Sequence, residues 1–255
     1  MKENLEEMVK PLCEWYQANK RSLPWRENKS PYHVWLSEVM LQQTRIEAVK
    51  KYYNRFIEVL PTIRDLANVE EEKLLKLWEG LGYYNRARNL KKAAQVIMES
   101  YEGKMPTTYA ELVRLPGIGE YTAGAIASIC YREKVPAVDG NVLRVVARIT
   151  ASKEDVLLPE TKKKMTEQLK QVIPEEADIF NEALMELGEV ICLPNTLPVC
   201  SKCPVCHICI ANKKELTDQI PVRIKKQKRR KEEKTVFLLC YQDQVAIQKR
   251  SEKGI

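Results

Sequence analysis

Apolar side chains recur at helical spacing along almost the whole chain, and prolines cut that pattern into short segments. Residues 2–20 carry Leu5, Met8, Val9, Leu12, Trp15 and Tyr16 as a one-sided stripe. Similar patterns recur at about 33–43, 46–58, 70–80, 86–101, 108–114, 121–131, 141–150, 160–172 and 177–190. Pro24, Pro31, Pro61, Pro106, Pro116, Pro136, Pro159 and Pro174 fall in or beside the gaps, where a residue without a backbone N–H is tolerated. No alternating strand pattern precedes residue 235, so the body is expected to be all-α. With 255 residues, 44% apolar and 30% charged, the chain can bury a sizeable core. No apolar run approaches the length of a membrane span, and MKENLEEMVKPL is acidic and amphipathic rather than a signal peptide. A cytoplasmic protein with no membrane segment is expected.

The C-terminal part reads differently. Residues 216–234 are polar and basic, as in a linker. TVFLLCY and VAIQ then flank Gln242-Asp243-Gln244, a β-hairpin pattern. An isolated hairpin is marginal in water, so residues 235–255 are expected to begin a second domain that is cut off. Charge follows the same division. The net +7 hides a neutral body: residues 1–221 hold 31 basic and 31 acidic residues, whereas 222–234 hold eight and two. Net charge therefore gives no ground for assigning the body to nucleic acid.

Five of eight cysteines fall within 18 residues: Cys192, Cys200, Cys203, Cys206 and Cys209. Disulfides are disfavoured in a reducing compartment, so this density points to a metal or cluster site. Cys192, Cys200, Cys203 and Cys209 supply four thiolates, with Cys206 offering an alternative ligand. Four thiolates suit either an iron–sulfur cluster or structural zinc, and spacing favours neither, although Pro204 after Cys203 leans toward the cluster. His207 is a bystander where thiolates suffice.

Three further segments carry chemistry. Leu115-Pro116-Gly117-Ile118-Gly119 lies between two helical patterns, and glycines two apart let a turn bring backbone N–H groups close to an anion. This is a helix-hairpin-helix, a main-chain binder of DNA phosphates that needs no net charge; the bland alternative is a tight turn between packed helices. Asp139 opens a helical pattern and is suited to N-capping, a position that also fixes a carboxylate in place. Glu38 has Val34, Trp35, Leu41 and Gln42 at helical spacing. Such flanks desolvate a carboxyl and raise its pKa, the setting of a general acid; the alternative is an exposed surface glutamate.

Taken together, LPGIGEYTAGAI, VDGNVLRV and the cysteine loop resemble the helix-hairpin-helix DNA glycosylases that carry a 4Fe-4S cluster. LPWR at 23–26, SEVMLQQT at 37–44 and GLGYYNRARNL at 80–90 are similar to the adenine DNA glycosylases, the MutY family. The resemblance covers roughly residues 5–215. It implies a two-lobed catalytic domain over 1–215, with a six-helix lobe at about 25–132 and a cluster lobe from 1–24 plus 133–215. It implies a C-terminal 8-oxoguanine-recognition (Nudix-like) domain beginning at 235. The implied substrate is adenine mispaired with 8-oxoguanine or guanine in duplex DNA, acted on by a monomer. The implied catalytic residues are Glu38 as general acid, Asp139 as the carboxylate facing the cationic sugar, and Tyr121 and Asn141 in support. Gln43 with its neighbour Gln42, and Tyr83, match residues that enter the opened helix; Trp25 and Arg26 match the adenine pocket; Gly117 and Gly119 match the phosphate hairpin. The implied cluster ligands are Cys192, Cys200, Cys203 and Cys209. Two departures stand out: the first cysteine gap is seven residues where the family usually has six, and Cys206 is extra. The related branch that also cuts the strand has lysine where Tyr121 stands, so base excision without strand cleavage is expected. The alternatives are a mismatch thymine glycosylase and a non-catalytic DNA-binding module with a structural metal.

Overall fold

The computed structural model describes residues 2–224, 233, 235 and 237–247. They divide into two compact units, Met1–Arg223 and Ile224–Ile255.

The first unit is helical. In chain order it contains α1 (Lys2–Asn19), α2 (Pro24–Glu27), α3 (Pro31–Leu41), α4 (Ile46–Val59), α5 (Ile63–Asn68), α6 (Glu71–Trp78) and α7 (Asn85–Ser100). There follow α8 (Tyr109–Leu112), α9 (Glu120–Tyr131), α10 (Gly140–Thr150), α11 (Pro159–Lys170), α12 (Ala177–Val190), a 3-10 turn at Cys200–Lys202, and α13 (Ile210–Lys213). Local chemistry sets many boundaries. Pro24, Pro31 and Pro159 occupy the first turns of α2, α3 and α11, where the missing N–H costs nothing. Thr62 and Asp65 close a reciprocal capping box on α5. Arg132 and Ala151 end α9 and α10 in left-handed conformation.

Two hydrophobic cores organise these helices. The first draws on residues 23–137 and has Trp35, Phe56 and Trp78 fully buried, the last two edge to face at 6.0 Å. The second combines the α1 stripe of Leu5, Met8, Leu12 and Tyr16 with buried residues of α10, α11 and α12, among them Phe180 and Leu184. Helix α12 packs on α1 and α10 and also on α9, which in turn packs on α3. The cleft described below opens along this junction.

Every segment with clear helical periodicity is a helix. Helices α2, α5 and α13 do not show in the pattern, because one or two turns are too short to show a period; a capping box holds α5, while α2 and α13 are anchored by burial of Trp25 and Ala211. Residues 216–223, read from the sequence as linker, pack onto the first unit. Ile220 is buried and its carbonyl accepts from Arg148 Nε at 2.8 Å, while Val156 N donates to the Val222 carbonyl at 3.1 Å.

In the second unit β1 (Cys240–Tyr241) pairs antiparallel with β2 (Gln244–Val245), Cys240 opposite Val245 and Tyr241 opposite Gln244. Gln242 and Asp243 form the turn, so Gln244 belongs to the strand rather than the loop. The basic run at 222–234 lies outside the described residues apart from 222–224 and 233.

Candidate active site

A cleft of about 1000 Å³ is lined by Glu38, Tyr121, Asp139 and Asn141, together with Trp25, Arg26, Gln42 and Gln43. Eight of the eleven residues expected to act on DNA thus face one space. Tyr83, Gly117 and Gly119 do not line it.

Glu38 sits in the middle of α3, whose residues from Val34 to Met40 are all buried, so the exposed-glutamate alternative does not hold. The residue is 7% exposed, and its buried Oε2 has no hydrogen-bond partner among the described residues. Burial pushes its pKa up to about 7; the Tyr121 hydroxyl opposes the shift, as does Arg26 more weakly, and Asp139 and Glu182 add to it. An acid poised there can give up a proton near neutral pH.

Asp139 does cap α10. Its Oδ1 accepts from the N–H groups of Asn141 at 2.9 Å and Val142 at 2.8 Å. Burial raises its pKa, while those two backbone donors and Arg144 hold it back. Asn141 Nδ2 donates to Asp139 Oδ2 at 3.0 Å and to Glu189 Oε1 at 2.9 Å. Arg144 Nη2 donates to Asn141 Oδ1 at 2.8 Å and to the Gly188 carbonyl at 2.9 Å, and Nε donates to the Cys192 carbonyl at 2.7 Å. A Cβ on Gly188 would lie 2.7 Å from that of Asn141, so only glycine lets α12 approach α10 this closely. Three hydrogen bonds therefore fix the second carboxyl, and Arg144 and Gly188 hold the Asn141 that supplies two of them. Tyr121 donates to Met185 Sδ at 3.2 Å, and burial beside Glu38 and Asp139 keeps its hydroxyl protonated.

The opposite wall comes from α12 and holds residues that local motifs do not reveal: Glu182, Met185, Glu186 and Glu189. Glu186, 1% exposed, takes Arg21 through both oxygens at 2.6 and 2.9 Å and Arg26 at 2.8 Å. Glu182 pairs with Lys29 at 2.5 Å and lies 3.8 Å from Arg26. Arg26 also lies over the Tyr16 ring at 5.4 Å, and Trp25 is buried edge-on against Tyr53 at 5.5 Å. Their spacing along α12, at i, i+3, i+4 and i+7, was the available signal: carboxylates sharing one helix face with buried apolar residues.

The hairpin is held from below. Leu115 and Ile118 are buried, whereas Gly117 and Gly119 are exposed. Gly117 has a φ of 74°, and a Cβ there would lie 2.6 Å from Asn89 Cβ. Gly119 caps the start of α9 at ordinary φ with open space around it, so nothing among the described residues requires it to lack a side chain.

Five thiols, Cys192, Cys200, Cys203, Cys206 and Cys209, line one small cavity walled by Val145, Ile149, Leu187 and Ile191. Arg148 Nη1 reaches Cys192 Sγ at 3.2 Å, and the Arg148 carbonyl faces Cys209 Sγ at 3.4 Å. Among the described residues no group of three Cys, His, Asp or Glu side chains is placed to hold one metal ion. No described helix is long and apolar enough to cross a membrane.

A helical body of two cores, a hairpin turn and a cleft with two carboxyls agree with what comparison finds. The chain belongs to the HhH-GPD superfamily of base excision DNA repair proteins, whose model matches residues 36–175, and within it to the adenine DNA glycosylase family. It is 37% identical over 247 residues to the adenine DNA glycosylase of Buchnera aphidicola subsp. Schizaphis graminum, covering 96% of this chain and 71% of that protein. It is 43% identical over 229 residues to the adenine DNA glycosylase of Arabidopsis thaliana, covering 78% of this chain but only 36% of that one. A thermostable thymine-DNA glycosylase superposes with a TM-score of 0.74 at 26% identity, over 83% of this chain and 98% of that one. The chain thus spans about a third of the length of one such relative and less than three quarters of the other.

Proposed function

We propose that this cleft hydrolyses the N-glycosidic bond of adenine mispaired with 8-oxoguanine or guanine in duplex DNA, and leaves the strand uncut. The observation that carries this is Glu38: a buried carboxyl with one oxygen unpartnered among the described residues and a pKa raised to about 7, in the same cleft as a second, rigidly held carboxyl. The target base must leave the helix stack to reach them. Glu38 protonates adenine N7 and makes the purine a competent leaving group. Asp139 faces the positive charge that develops on the sugar and can trap it covalently. Glu38, now ionised, then takes a proton from water as it attacks C1′, and the C1′–Asp139 bond breaks to return the carboxylate, the two-carboxylate scheme of retaining glycosidases. Tyr121 and Asn141 hold the pair in place, Arg26 and Trp25 line the adenine pocket, Gln42, Gln43 and Tyr83 enter the opened duplex, and Gly117 and Gly119 receive a phosphate. Tyr121 offers no amine for a Schiff base, so the abasic strand stays intact.

Cys192, Cys200, Cys203 and Cys209 would hold a 4Fe-4S cluster. The thiols gathered around one cavity supply the four-thiolate donor set that such a cluster takes. When bound, the cluster supplies thiolate–iron bonds that cross-link this segment beside Arg148.

The test is single-turnover base release from an adenine:8-oxoguanine duplex, read with and without alkali. Alkali-dependent cleavage at adenine is expected. Release of thymine from a guanine:thymine duplex instead would move the chain to the thymine branch represented by the thermostable neighbour, and release of neither base would leave a binding module.

A further inference from the structure

We propose that Arg86 is a positioning residue that locks two strained loops into the shape that enters the opened duplex. The assignment of those loops to the duplex rests on the function proposed above; the lock itself rests on geometry.

Arg86 is near the start of α7, and its guanidinium reaches back between residues 39–44 and 81–82. Nη1 donates to the carbonyls of Val39 at 2.8 Å, Met40 at 3.1 Å and Gln42 at 2.6 Å. Nη2 donates to the carbonyls of Leu81 at 2.9 Å and Gly82 at 3.3 Å, and to Thr44 Oγ1 at 3.4 Å. Its Cζ lies 5.4 Å from the centroid of the Trp78 ring and 5.7 Å from that of Tyr83. Val39 and Met40 are in the last turn of α3, where carbonyls run out of helical partners.

Two of the acceptors matter most. Gln42 and Gly82 each precede a non-glycine residue in left-handed backbone, Gln43 at φ 59° and Tyr83 at φ 47°. That conformation is costly for a bulky residue and persists only where the surroundings impose it. Burial repays little of the cost: Gln43 is exposed, and Tyr83 is 65% exposed with the Arg86 guanidinium against its ring. One planar cation therefore holds the peptide ahead of both strained residues and presents both side chains outward together. A planar fork can bond to carbonyls on two loops at once, whereas a lysine ammonium is a single point of charge.

The test uses the full chain with Arg86→Lys, Arg86→Gln, the pair Gln43→Ala/Tyr83→Ala, and that pair combined with Arg86→Gln. Amide exchange without DNA, followed by mass spectrometry on peptides covering 39–44 and 80–85, reads the lock directly. Arg86→Lys keeps charge and stem and should keep the melting temperature, yet both peptides should exchange faster together. Unchanged exchange in either one overturns the lock, whatever the chain does to DNA. Base opening is read from 2-aminopurine placed beside the mispaired adenine, in a Glu38→Gln background that leaves the bond intact. Arg86→Lys should lose up to about 10²-fold in single-turnover release, the scale of a misplaced reacting group, with a matching loss of opening and duplex affinity little changed. In the Gln43→Ala/Tyr83→Ala background the effect of Arg86→Gln should vanish, since a residue acting through those loops has nothing left to position. A full, additive loss there would assign Arg86 to general stability and overturn the proposal. Faster exchange in both peptides, with no adenine release by the unmodified chain, would keep the lock and sink the adenine reaction instead.

Discussion

Glu38→Gln should inactivate the protein and stabilise it, and the second effect has a predictable pH dependence. The carboxyl ionises near 4.5 when unfolded and at about 7 in the fold, because burial disfavours its charge. Each pKa unit is worth about 1.4 kcal/mol, so carrying this carboxylate costs the fold about 3 kcal/mol once it is ionised in both states. The sign follows from proton counts. Below pH 4.5 the group is protonated in both states and contributes no penalty. Between 4.5 and 7 the unfolded chain releases the proton and the folded one keeps it, so stability falls as pH rises. Above 7 the penalty is constant. Glutamine keeps the shape and never ionises. The variant should match the parent near pH 4.5 and exceed it by about 3 kcal/mol at pH 8, a rise of roughly 6–12 °C in Tm for a unit of this size. Calorimetric or urea unfolding of both proteins at intervals between pH 4.5 and 8.5 measures the gap. Parallel curves across that range would refute a raised pKa at Glu38 and, with it, the general-acid role. Base release by the parent should also decline as pH rises past 7, in step with loss of the proton.

Asp139→Asn preserves an oxygen acceptor for the Asn141 and Val142 amides but sets an NH2 against Asn141 Nδ2, so it should destabilise by about 1–3 kcal/mol while single-turnover release falls about 10²–10⁴-fold. Gly119→Ala should weaken duplex binding at unchanged Tm, because its space is open toward solvent; Gly117→Ala should destabilise by roughly 1–3 kcal/mol, because φ is left-handed and Asn89 stands in the way. Cys203→Ser should lose bound iron and Cys206→Ser should retain it, as measured by iron and sulfide content after anaerobic purification.

What the sequence made legible was what is local. Helices of ten or more residues announce themselves through apolar spacing, and the α1 stripe of Leu5, Met8, Leu12 and Tyr16 is buried as expected. The short helices α2, α5 and α13 do not, because one or two turns show no period, although α8 falls within the pattern at 108–114. Helix α5 left a trace in the Thr62-x-x-Asp65 capping box, whereas α13 left none. Among site residues, Glu38, Asp139 and the LPGIG turn stand in short motifs whose chemistry can be read in place. Arg86 could not be read this way: its role depends on carbonyls belonging to residues more than forty positions earlier in the chain.

The α12 wall shows why local reading stops where it does. Glu38 and Glu186 are both glutamates in apolar helices, both nearly inaccessible, and both lining the same cleft. From sequence each deserves the same expectation, a desolvated carboxyl with a raised pKa. The fold separates them. Burial pushes on both, but Glu186 receives Arg21 and Arg26, and their hydrogen bonds and charge hold its carboxyl below the ordinary glutamate value. Glu38 receives no direct cation and keeps an oxygen unpartnered among the described residues, so its carboxyl goes the other way. One cleft thereby holds a proton donor and a permanent anion made from the same side chain. The division rests on which glutamate the arginines of residues 21–26 can reach. Replacing Arg21 and Arg26 by methionine should therefore raise the Glu186 pKa toward that of Glu38, and carboxyl titration followed by NMR would show it. A Glu186 carboxyl still titrating below the ordinary glutamate range in that variant would mean that the arginines are not what separates the two.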